Sequence, residues 1–424
     1  MKRFFSAFGL LFCIGLSSGC FIIDGVGGAF SYEPEELDSG LSPAAKELVQ
    51  RAFSDVNRAN LADYHVHLAG MGTGGTGNWV NPKMSSLMHP GKRIRYSVYL
   101  SAGGIDEMER ADQQYVERLV RLVRHGKGAG KFHILAFDHH YELDGTIDEV
   151  HTEFYVPNDY AYSVAQKAPD IFVPVISVHP YRKDAVEELE KWAAKGVRLI
   201  KWLPNAMGID PSHPRCDPFY AAMRRLDMVL LTHAGEEKAV EAEADQLLGN
   251  PLHLRRPLDQ GTKIIVAHCA SRGQNPDFEA EGEPLVDNFD LFMRLIDEPK
   301  YEGLLFGDIS ALTLVQRMGK PLRTLLERDD VHHRLVDGSD YPLPAINILI
   351  HTGKFVDQGY IRPEEEDLLN EVYEYNPLLF DYVLKRTLRS PKTGKPFAAN
   401  VFELNPGLAP KSENPSENQE GSEE

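Results

Sequence analysis

The sequence predicts an α/β protein, a (β/α)8 or TIM barrel with an insertion after its first strand and a helical extension at its C-terminus. Short apolar segments alternate with amphipathic helices, and several of these segments end on a polar residue at regular intervals. Near-continuous apolar strands separated by helices indicate a parallel sheet covered on its outer face. Eight such strands are most simply a closed barrel, with an open doubly wound sheet as the alternative. The predicted strands cover residues 61–68, 132–137, 171–178, 197–203, 228–232, 263–267, 304–309 and 334–336.

Capping residues and prolines mark where the helices between these strands begin. Ser42-Pro43 provides a hydroxyl cap and a proline at the first helical position, and predicts a helix through about Phe53. Asp184 with Glu187 forms a capping-box-like start, and Gly196 ends that helix. Further helices are predicted at 112–123, from Asp217-Pro218, at 363–374 and at 377–386.

The segment from Gly70 to about Gly104 interrupts this alternation. Its irregular pattern predicts a long insertion that contains a helix, and the apolar stretch 94–100, a ninth strand candidate, is assigned to the insertion. The glycines at 70–77 end the first strand. Because no Gly-Lys-Ser/Thr follows them, they are not a phosphate-binding loop.

Length and charge restrict the classes of protein that this chain can represent. It has 424 residues, 42% of them hydrophobic, which fits one large domain or two ordinary ones. The net charge of −18 and the lack of a basic patch argue against nucleic acid as a partner. We assign residues 42–405 to the barrel domain and expect the acidic tail, 406–424, to be disordered.

The first residues have the pattern of an export signal. Lys2 and Arg3 precede an apolar run at 4–16, and Ser17-Ser18-Gly19 supplies small residues before Cys20. Thirteen apolar residues are too few to span a bilayer as a mature helix. The pattern resembles a bacterial lipoprotein signal, except that Leu16 lies four residues before the cysteine, where three is preferred.

We therefore expect a signal peptide at 1–19, an acylated Cys20 as the first mature residue, and a tether at 20–41. The protein would be exported and lipid-anchored in the bacterial envelope, with a soluble periplasmic or secreted form as the alternative. Nothing marks the two later cysteines, Cys216 and Cys269, as a disulfide pair.

Polar residues at the ends of the predicted strands form the candidate site. His65 and His67 are two residues apart, so a β-strand directs both side chains to one face. Lys201, His233 and His268 each end a later apolar strand, at intervals of 32 and 35 residues, and Asp340 follows 72 residues after His268. In a parallel barrel the strand ends converge on one mouth, so we expect these six residues to meet there.

These residue types suit a divalent metal, most simply Zn²⁺. Imidazole nitrogen and carboxylate oxygen are the ligands that Zn²⁺ accepts when it keeps a position open for water, whose pKa it lowers. Asp340 is placed to bind the metal, to take a proton from water, or both. Lys201 would be costly to bury unless it is neutralised or paired with a carboxylate.

At this point the chain resembles the metal-dependent amidohydrolase superfamily, and within it the branch called amidohydrolase family 2. The resemblance covers roughly residues 60–380. It depends on five short motifs: Asp63-Tyr64-His65-Val66-His67, Thr232-His233-Ala234-Gly235, Ala267-His268-Cys269, Gly338-Ser339-Asp340-Tyr341-Pro342 and Glu374-Tyr375-Asn376-Pro377.

The resemblance implies a role for each candidate ligand. His65, His67 and Asp340 would bind one metal ion, while His233 and His268 would serve a second ion or act as ligand and activator around a single one. Lys201 matches in position the lysine that is carbamylated and bridges two ions in two-metal members. Asp340 and His268 are the predicted catalytic residues. The long insertion and the lipoprotein-like start are not features that the family requires.

Four further residues are weaker candidates for binding a substrate. His179 and Arg182 follow a predicted strand, and with Arg272 they could hold a substrate carboxylate, since guanidinium binds carboxylate in a bidentate fork. The alternative for the arginines is surface salt bridging. Trp202 could shape the pocket or pack between barrel and helix.

The leading hypothesis is a metal-dependent hydrolase that cleaves an amide, ester or lactone bond of a small molecule, which could carry a carboxylate. The first alternative is non-oxidative decarboxylation or hydration, which the same branch also contains. The second is a catalytically silent, lipid-anchored binding protein. The sequence leaves the oligomeric state, the substrate and the number of metal ions open.

Overall fold

Eight parallel strands form a closed ring in the computed structural model, which describes residues 26–28, 31–126, 130–240 and 242–410. The strands are β1 (Leu61–His67), β2 (Trp79–Val80), β3 (Gly130–Leu135), β4 (Phe154–Tyr155), β5 (Phe172–Val175), β6 (Leu199–Trp202), β7 (Val229–His233), β8 (Lys263–Ala267), β9 (Gln274–Pro276), β10 (Leu285–Asp287), β11 (Leu305–Asp308) and β12 (Leu335–Val336). The order of one parallel sheet is β1-β3-β5 and that of the other is β12-β11-β8-β7-β6. The remaining strands form two antiparallel pairs, β2 with β4 and β9 with β10.

Two seams join the parallel sheets into a barrel. At one seam Ile176 pairs with Ile200 in parallel, and the Lys201 amide donates to the Ile176 carbonyl at 2.7 Å. At the other seam Val66 pairs with Tyr341, and the Asp340 amide donates to the His65 carbonyl at 2.7 Å. The predicted (β/α)8 barrel is therefore confirmed. The second seam also brings Asp340 beside the first strand.

The helices lie between the strands largely where capping residues predict them. Ser42 Oγ accepts from the Ala45 amide at 3.2 Å, as expected of a cap. The capping box at Asp184 is wrong, because this carboxylate binds the Arg182 guanidinium at 2.8 and 2.9 Å instead. The longer helices are Pro43–Ala52, Pro90–Ala102, Ala111–Arg124, Asn158–Lys167, Ala185–Ala194, Asp217–Arg225, Asn288–Ile296, Lys320–Glu327, Pro363–Tyr375 and Pro377–Thr387, and the shorter ones are Leu37–Gly40, Pro204–Met207, Arg255–Asp259 and Thr352–Asp357.

The barrel has two apolar cores, one inside the ring of strands and one between the strands and the surrounding helices. All eight barrel strands contribute to this inner cluster, which includes Leu199 on β6 and Leu231 on β7. Residues two apart on a strand share a face, so Lys201 and His233 extend the same inward faces to the carboxyl ends of these strands. The inner cluster thus ends in a polar layer at one mouth of the barrel.

The insertion after β1 is held in place by one buried carboxylate. Asp112 accepts hydrogen bonds from the Met71 and Gly72 amides at 2.5 and 3.1 Å, from Thr73 Oγ1 at 3.1 Å and from Asn78 Nδ2 at 2.8 Å. The glycine-rich stretch is therefore a structural loop wrapped around Asp112. The ninth strand candidate, 94–100, lies within the helix Pro90–Ala102.

The domain boundaries extend beyond those predicted. Tyr32 stacks on Tyr375 with ring centroids 4.6 Å apart, and Leu37 and Leu41 are buried, so residues 31–41 pack on the domain and are not a free tether. At the other end Leu408 joins the inner cluster, so the disordered tail cannot begin at residue 406. The predicted signal peptide, Cys20 and residues 411–424 lie outside the described residues.

The two later cysteines, Cys216 and Cys269, are both buried and free.

Among the described residues, none of the helices combines the length and the apolar character that crossing a bilayer requires.

Candidate metal centre

The two histidines of β1 meet Asp340 at the mouth of the barrel. Nε2 of His65 and Nε2 of His67 are 3.2 Å apart, and Asp340 Oδ1 lies 3.5 Å from the first and 3.2 Å from the second. One ligand atom from each of the three residues lies within 4.8 Å of the others. The shared face predicted for His65 and His67 is confirmed, and the third predicted ligand joins them.

A carboxylate behind His65 sets the orientation of its ring. His65 Nδ1 lies 2.9 Å from Asp308 Oδ2, and both residues are fully buried. Asp308 Oδ1 accepts from the amides of His268 and Ser310 at 2.8 and 3.0 Å. With the proton on Nδ1, the Nε2 lone pair of His65 faces His67 and Asp340, as metal-binding histidines require.

His268, at the start of the loop after β8, approaches Asp340. Its Nδ1 lies 2.7 Å from Ser310 Oγ, and its Nε2 lies 3.8 Å from Asp340 Oδ2. The imidazole rings of His65 and His268 stack at 5.1 Å. Both His268 (φ +55°) and Asp340 (φ +59°) adopt left-handed backbone conformations, which are uncommon for non-glycine residues.

His233 completes the ring of imidazoles. Its ring centroid lies 5.4 Å from that of His268. Its Nε2 is buried and has no hydrogen-bond partner among the described residues, although Glu237 Oε2 lies 3.6 Å away. A buried ring nitrogen without a partner is costly unless a ligand satisfies it.

Lys201 lies beneath these histidines. Its Nζ is 3.0 Å from His65 Nε2, and burial lowers the pKa of Lys201 to about 8 although Asp308 and Asp340 oppose the shift. Within the described residues it forms no ion pair shorter than 4 Å, so the expected partner carboxylate is absent there. Its ammonium group is the nearest cation to the cluster of ligand atoms.

The donor set fits a divalent cation. Burial holds the pKa of His65, His233 and His268 well below the usual range, which leaves their rings neutral and able to donate lone pairs. Burial raises the pKa of Asp340, but His65, His67 and Lys201 together lower it further, so this carboxylate stays ionised. Imidazoles that face one carboxylate, with the Nε2 atoms of His65 and His67 3.2 Å apart, are the ligands of a zinc-type site.

The predicted substrate residues are engaged in other contacts. Both ring nitrogens of His179 bond backbone atoms, Nε2 to the Met207 carbonyl at 2.8 Å and Nδ1 to the Tyr181 amide at 3.1 Å. Arg182 donates to Asp138 at 3.1 Å and also pairs with Asp184.

Arg272 forms a salt bridge and Trp202 packs between barrel and helix, which were the alternatives to substrate binding for these two residues. Arg272 Nε donates to Glu236 Oε2 at 2.8 Å. The Trp202 ring packs against Phe219 in a tilted arrangement with ring centroids 5.1 Å apart, and its Nε1 donates to the Val178 carbonyl. As the neighbour of the inward-facing Lys201, Trp202 points to the opposite face of β6, so its placement in the pocket was wrong.

Two residues of the site, Asp308 and Arg317, were missed. Asp308 ends β11 as His233 ends β7, and the same rule would have found it. Glu237, which also lies at the site, is buried beside His233. Arg317 is buried in the loop after β11 and donates to Ser271 Oγ at 3.0 Å. Burial is the main cause of the low pKa of His233 and His268, and the charge of Arg317 lowers it further. Its position in a long loop gives no periodic signal.

Fold and donor set together define a metal-dependent barrel enzyme. The family model described as amidohydrolase (amidohydrolase family 2) matches residues 62–291, more than half of the chain. The chain therefore belongs to the amidohydrolase family, as the motifs around His65, His233 and Asp340 indicate. A comparison with curated proteins gives no match.

Several solved structures are similar at low identity. A TIM-barrel protein from Bordetella bronchiseptica has 15% identity and a TM-score of 0.46, with 74% of this chain and 95% of that one covered. A probable 2-pyrone-4,6-dicarboxylic acid hydrolase from Acinetobacter baumannii has 12% identity and a TM-score of 0.42, covering 77% and 99%. A 5-carboxyvanillate decarboxylase from Novosphingobium aromaticivorans with bound manganese has 14% identity and a TM-score of 0.41, covering 77% and 97%.

Proposed function

We propose that this protein is a metal-dependent hydrolase that cleaves an amide, ester or lactone bond of a small carboxylate-bearing molecule. The observation that carries the proposal is the convergence of His65, His67 and Asp340 within 4.8 Å, with His268 beside them. Zn²⁺ is the cation that best suits this donor set, and when bound it supplies Lewis acidity to activate water and to polarise a carbonyl.

Asp340 and His268 are the residues placed to move protons. Asp340 Oδ1 faces the two β1 histidines, while its Oδ2 faces His268 Nε2 at 3.8 Å. Because Asp340 stays ionised, its Oδ2 can accept a proton from water and pass it to the leaving group. His268 is held by Ser310 and keeps a neutral Nε2 on the same side of the site.

Arg317 supports a carboxylate-bearing substrate. Its guanidinium is buried and donates to Ser271 Oγ, and it forms no ion pair shorter than 4 Å among the described residues. A buried guanidinium without a carboxylate partner is suited to binding one from a ligand. Arg317 therefore takes the role that the sequence assigns to Arg182 and Arg272.

The Arg317 guanidinium also favours a second candidate reaction, non-oxidative decarboxylation, because that reaction requires a substrate carboxylate near the metal ion. Incubating the enzyme with aromatic and aliphatic carboxylates and measuring carbon dioxide separates the two reactions. Hydrolysis yields an acid plus an alcohol or amine without carbon dioxide.

The test of the proposed function combines metal analysis with a panel of esters, lactones and amides. We expect bound zinc, turnover that is lost on chelation and restored by Zn²⁺, and loss of both metal and turnover in His67→Ala. His89→Ala, a change at an exposed histidine of the insertion, is the matched control. A purified protein that binds no metal, with turnover unaffected by chelation, would rule out the proposal.

We also propose that the protein is exported and anchored by a lipid at Cys20, on the evidence of the sequence pattern. Palmitate labelling of the expressed chain tests this directly. Label should be incorporated in the native chain and absent from Cys20→Ala; equal labelling of both would refute the anchor.

A further inference from the structure

One stretch of this acidic protein carries no acidic residue. The chain has 63 Asp and Glu residues, yet positions 64–105 contain none, while Lys83, Lys92, Arg93 and Arg95 fall within them. This stretch comprises the end of β1 and the insertion. Its charge is opposite to the net charge of −18 of the whole chain.

Exposed apolar side chains lie among these basic residues. Leu87 and Met88 precede the helix Pro90–Ala102 and are 78% and 85% exposed, and Ile94 in its second turn is 61% exposed. Arg93 and Arg95 flank Ile94, are exposed and form no ion pair within the described residues. Apolar side chains of this size, exposed together and bordered by free cations, indicate an interaction surface.

Residues 26–28 contact the domain beside this surface. The Gly27 backbone packs against the Val98 carbonyl and the Ser101 side chain, one and two turns along the helix from Ile94. The Asn347 amide donates to the Val26 carbonyl at 3.0 Å, and the next residue, Ile348, is 57% exposed. Residues 26–28 thus meet the domain between the helix that carries Ile94 and the segment that carries Ile348.

The distance to the anchor position is short. Val26 is six positions after Cys20, a reach of at most about 20 Å even when fully extended. A lipid at Cys20 would therefore hold this part of the molecule within about 20 Å of the bilayer surface.

We propose that residues 87–95 together with Ile348 form a membrane-docking surface that contacts an anionic phospholipid bilayer. The apolar side chains would enter the headgroup region of the bilayer while Arg93 and Arg95 pair with lipid phosphates. Segments that bind at membrane interfaces usually combine these two kinds of contact. A bilayer is the partner we assign to this surface, because Val26 lies only six positions from the proposed anchor at Cys20 and because Arg93 and Arg95 make the surface cationic. The inference uses lipid anchoring at Cys20 and is independent of the reaction catalysed.

The experiment uses the acylated full-length protein, reconstituted into phosphatidylglycerol/phosphatidylethanolamine vesicles or into phosphatidylcholine vesicles. A polarity-sensitive fluorophore is placed at Met88→Cys or, as a matched exposed apolar position in the β9–β10 hairpin, at Leu285→Cys. The native Cys216 and Cys269 are buried and Cys20 would be acylated, so labelling is selective. Flotation of the vesicles measures anchoring separately from docking. Substrate turnover measures whether each labelled protein keeps its enzymatic activity.

We expect a blue shift and quenching by brominated lipid for the label at position 88 on anionic vesicles, and neither for the label at 285. Arg93→Gln/Arg95→Gln should weaken docking about 25-fold, at about fivefold for each charge, without altering flotation. If the label at 88 stays as solvent-exposed as that at 285 on every vesicle, the proposal fails. A blue shift that follows protein density and ignores anionic lipid would assign the surface to a second copy of the chain and would also overturn it.

If flotation shows no anchoring, the same positions are labelled in unacylated protein that carries Cys13→Ala and Cys20→Ala, which keeps the labelling selective, and vesicles are added. A shift restricted to position 88 and to anionic lipid still supports the docking surface. Its absence there overturns the surface independently of the anchor.

Discussion

The Nδ1 atom of His65 lies 2.9 Å from Oδ2 of Asp308, and the other carboxylate oxygen of Asp308 holds the backbone amides of His268 and Ser310. One carboxylate thus orients a candidate ligand on β1 and fixes the start of the β8 loop. Because it accepts on both oxygens, Asp308 dictates which nitrogen of His65 carries the proton. That choice decides whether His65 can bind a metal.

We predict that Asp308→Asn weakens zinc binding about 10- to 100-fold. If the amide oxygen keeps the two backbone N–H groups, the NH₂ group faces His65 Nδ1 and forces the proton onto Nε2, where it blocks ligation. Competition with a chelating dye measures the affinity. Asp287→Asn, at a half-buried position in β10, serves as the control, and unchanged affinity in Asp308→Asn would show that the carboxylate does not set the tautomer.

A second buried carboxylate cluster supports Asp340 from below. Lys385 Nζ donates to Asp381 Oδ2 at 2.6 Å, to the Gly338 carbonyl at 2.6 Å and to Asp337 Oδ1 at 3.1 Å. Burial raises the pKa of Asp381 to about 6 even though Lys385 opposes the shift. The lysine therefore both neutralises two buried acids and fixes the backbone that leads to Asp340.

We expect Lys385→Met to lower the free energy of unfolding by about 3–5 kcal/mol at pH 8, because it leaves buried carboxylates without a cation. The loss should shrink at pH 5, where protonation neutralises them, and Asp381→Asn in the same chain should recover part of it. Thermal unfolding at the two pH values measures both effects. Lys320→Met, which breaks an exposed pair with Asp290, should cost less than about 1 kcal/mol.

His133 contributes a pH dependence that is independent of the metal ligands. Its ring is buried, stacks on Tyr64 at 4.4 Å and donates from Nδ1 to the Asp63 carbonyl at 2.9 Å. Burial lowers the pKa of His133 to about 4 from an ordinary value of 6.5. Between these two values the unfolded chain binds more protons at this residue than the folded chain, so stability falls as the pH is lowered through this window.

We therefore predict that wild-type protein loses about 2 kcal/mol more than His133→Gln when the pH falls from 7 to 5. Denaturant unfolding at pH 5, 6 and 7 gives the difference. His89→Gln, at an exposed position of the insertion, serves as the matched control. Parallel profiles for wild-type protein and His133→Gln would mean that His133 titrates normally in the folded state.

Strand-end residues were predictable because alternation along a strand and convergence at a barrel mouth are geometric rules. His65, His67, Lys201, His233 and His268 each follow from these rules, and the structure brings all of them together with Asp340. The stretch 94–100 shows where the rules fail. Its β-branched and aromatic residues favour a strand, but Pro90 starts a helix that buries Tyr96 and exposes Ile94.

Loop residues could not be predicted in the same way. Arg317 and Glu237 reach the site through the paths of the loops after β11 and β7, and no periodicity encodes such a path. The arginines chosen from the sequence, Arg182 and Arg272, already have carboxylate partners within their own neighbourhoods. Local sequence could identify arginines near the mouth but not which of them is left without a partner.

The role of Arg317 gives the last prediction. If its guanidinium binds a substrate carboxylate, Arg317→Met should raise KM for an acidic substrate about 10- to 100-fold and change kcat little, since the contact is present before and during the reaction. The neutral methyl ester of the same substrate should show no such increase, because it makes no ion pair with Arg317. Arg272→Met, which breaks the pair with Glu236, is the matched control. Equal effects of Arg317→Met on the acid and its ester would mean that Arg317 supports the structure of the loop, since only a direct contact distinguishes the two substrates.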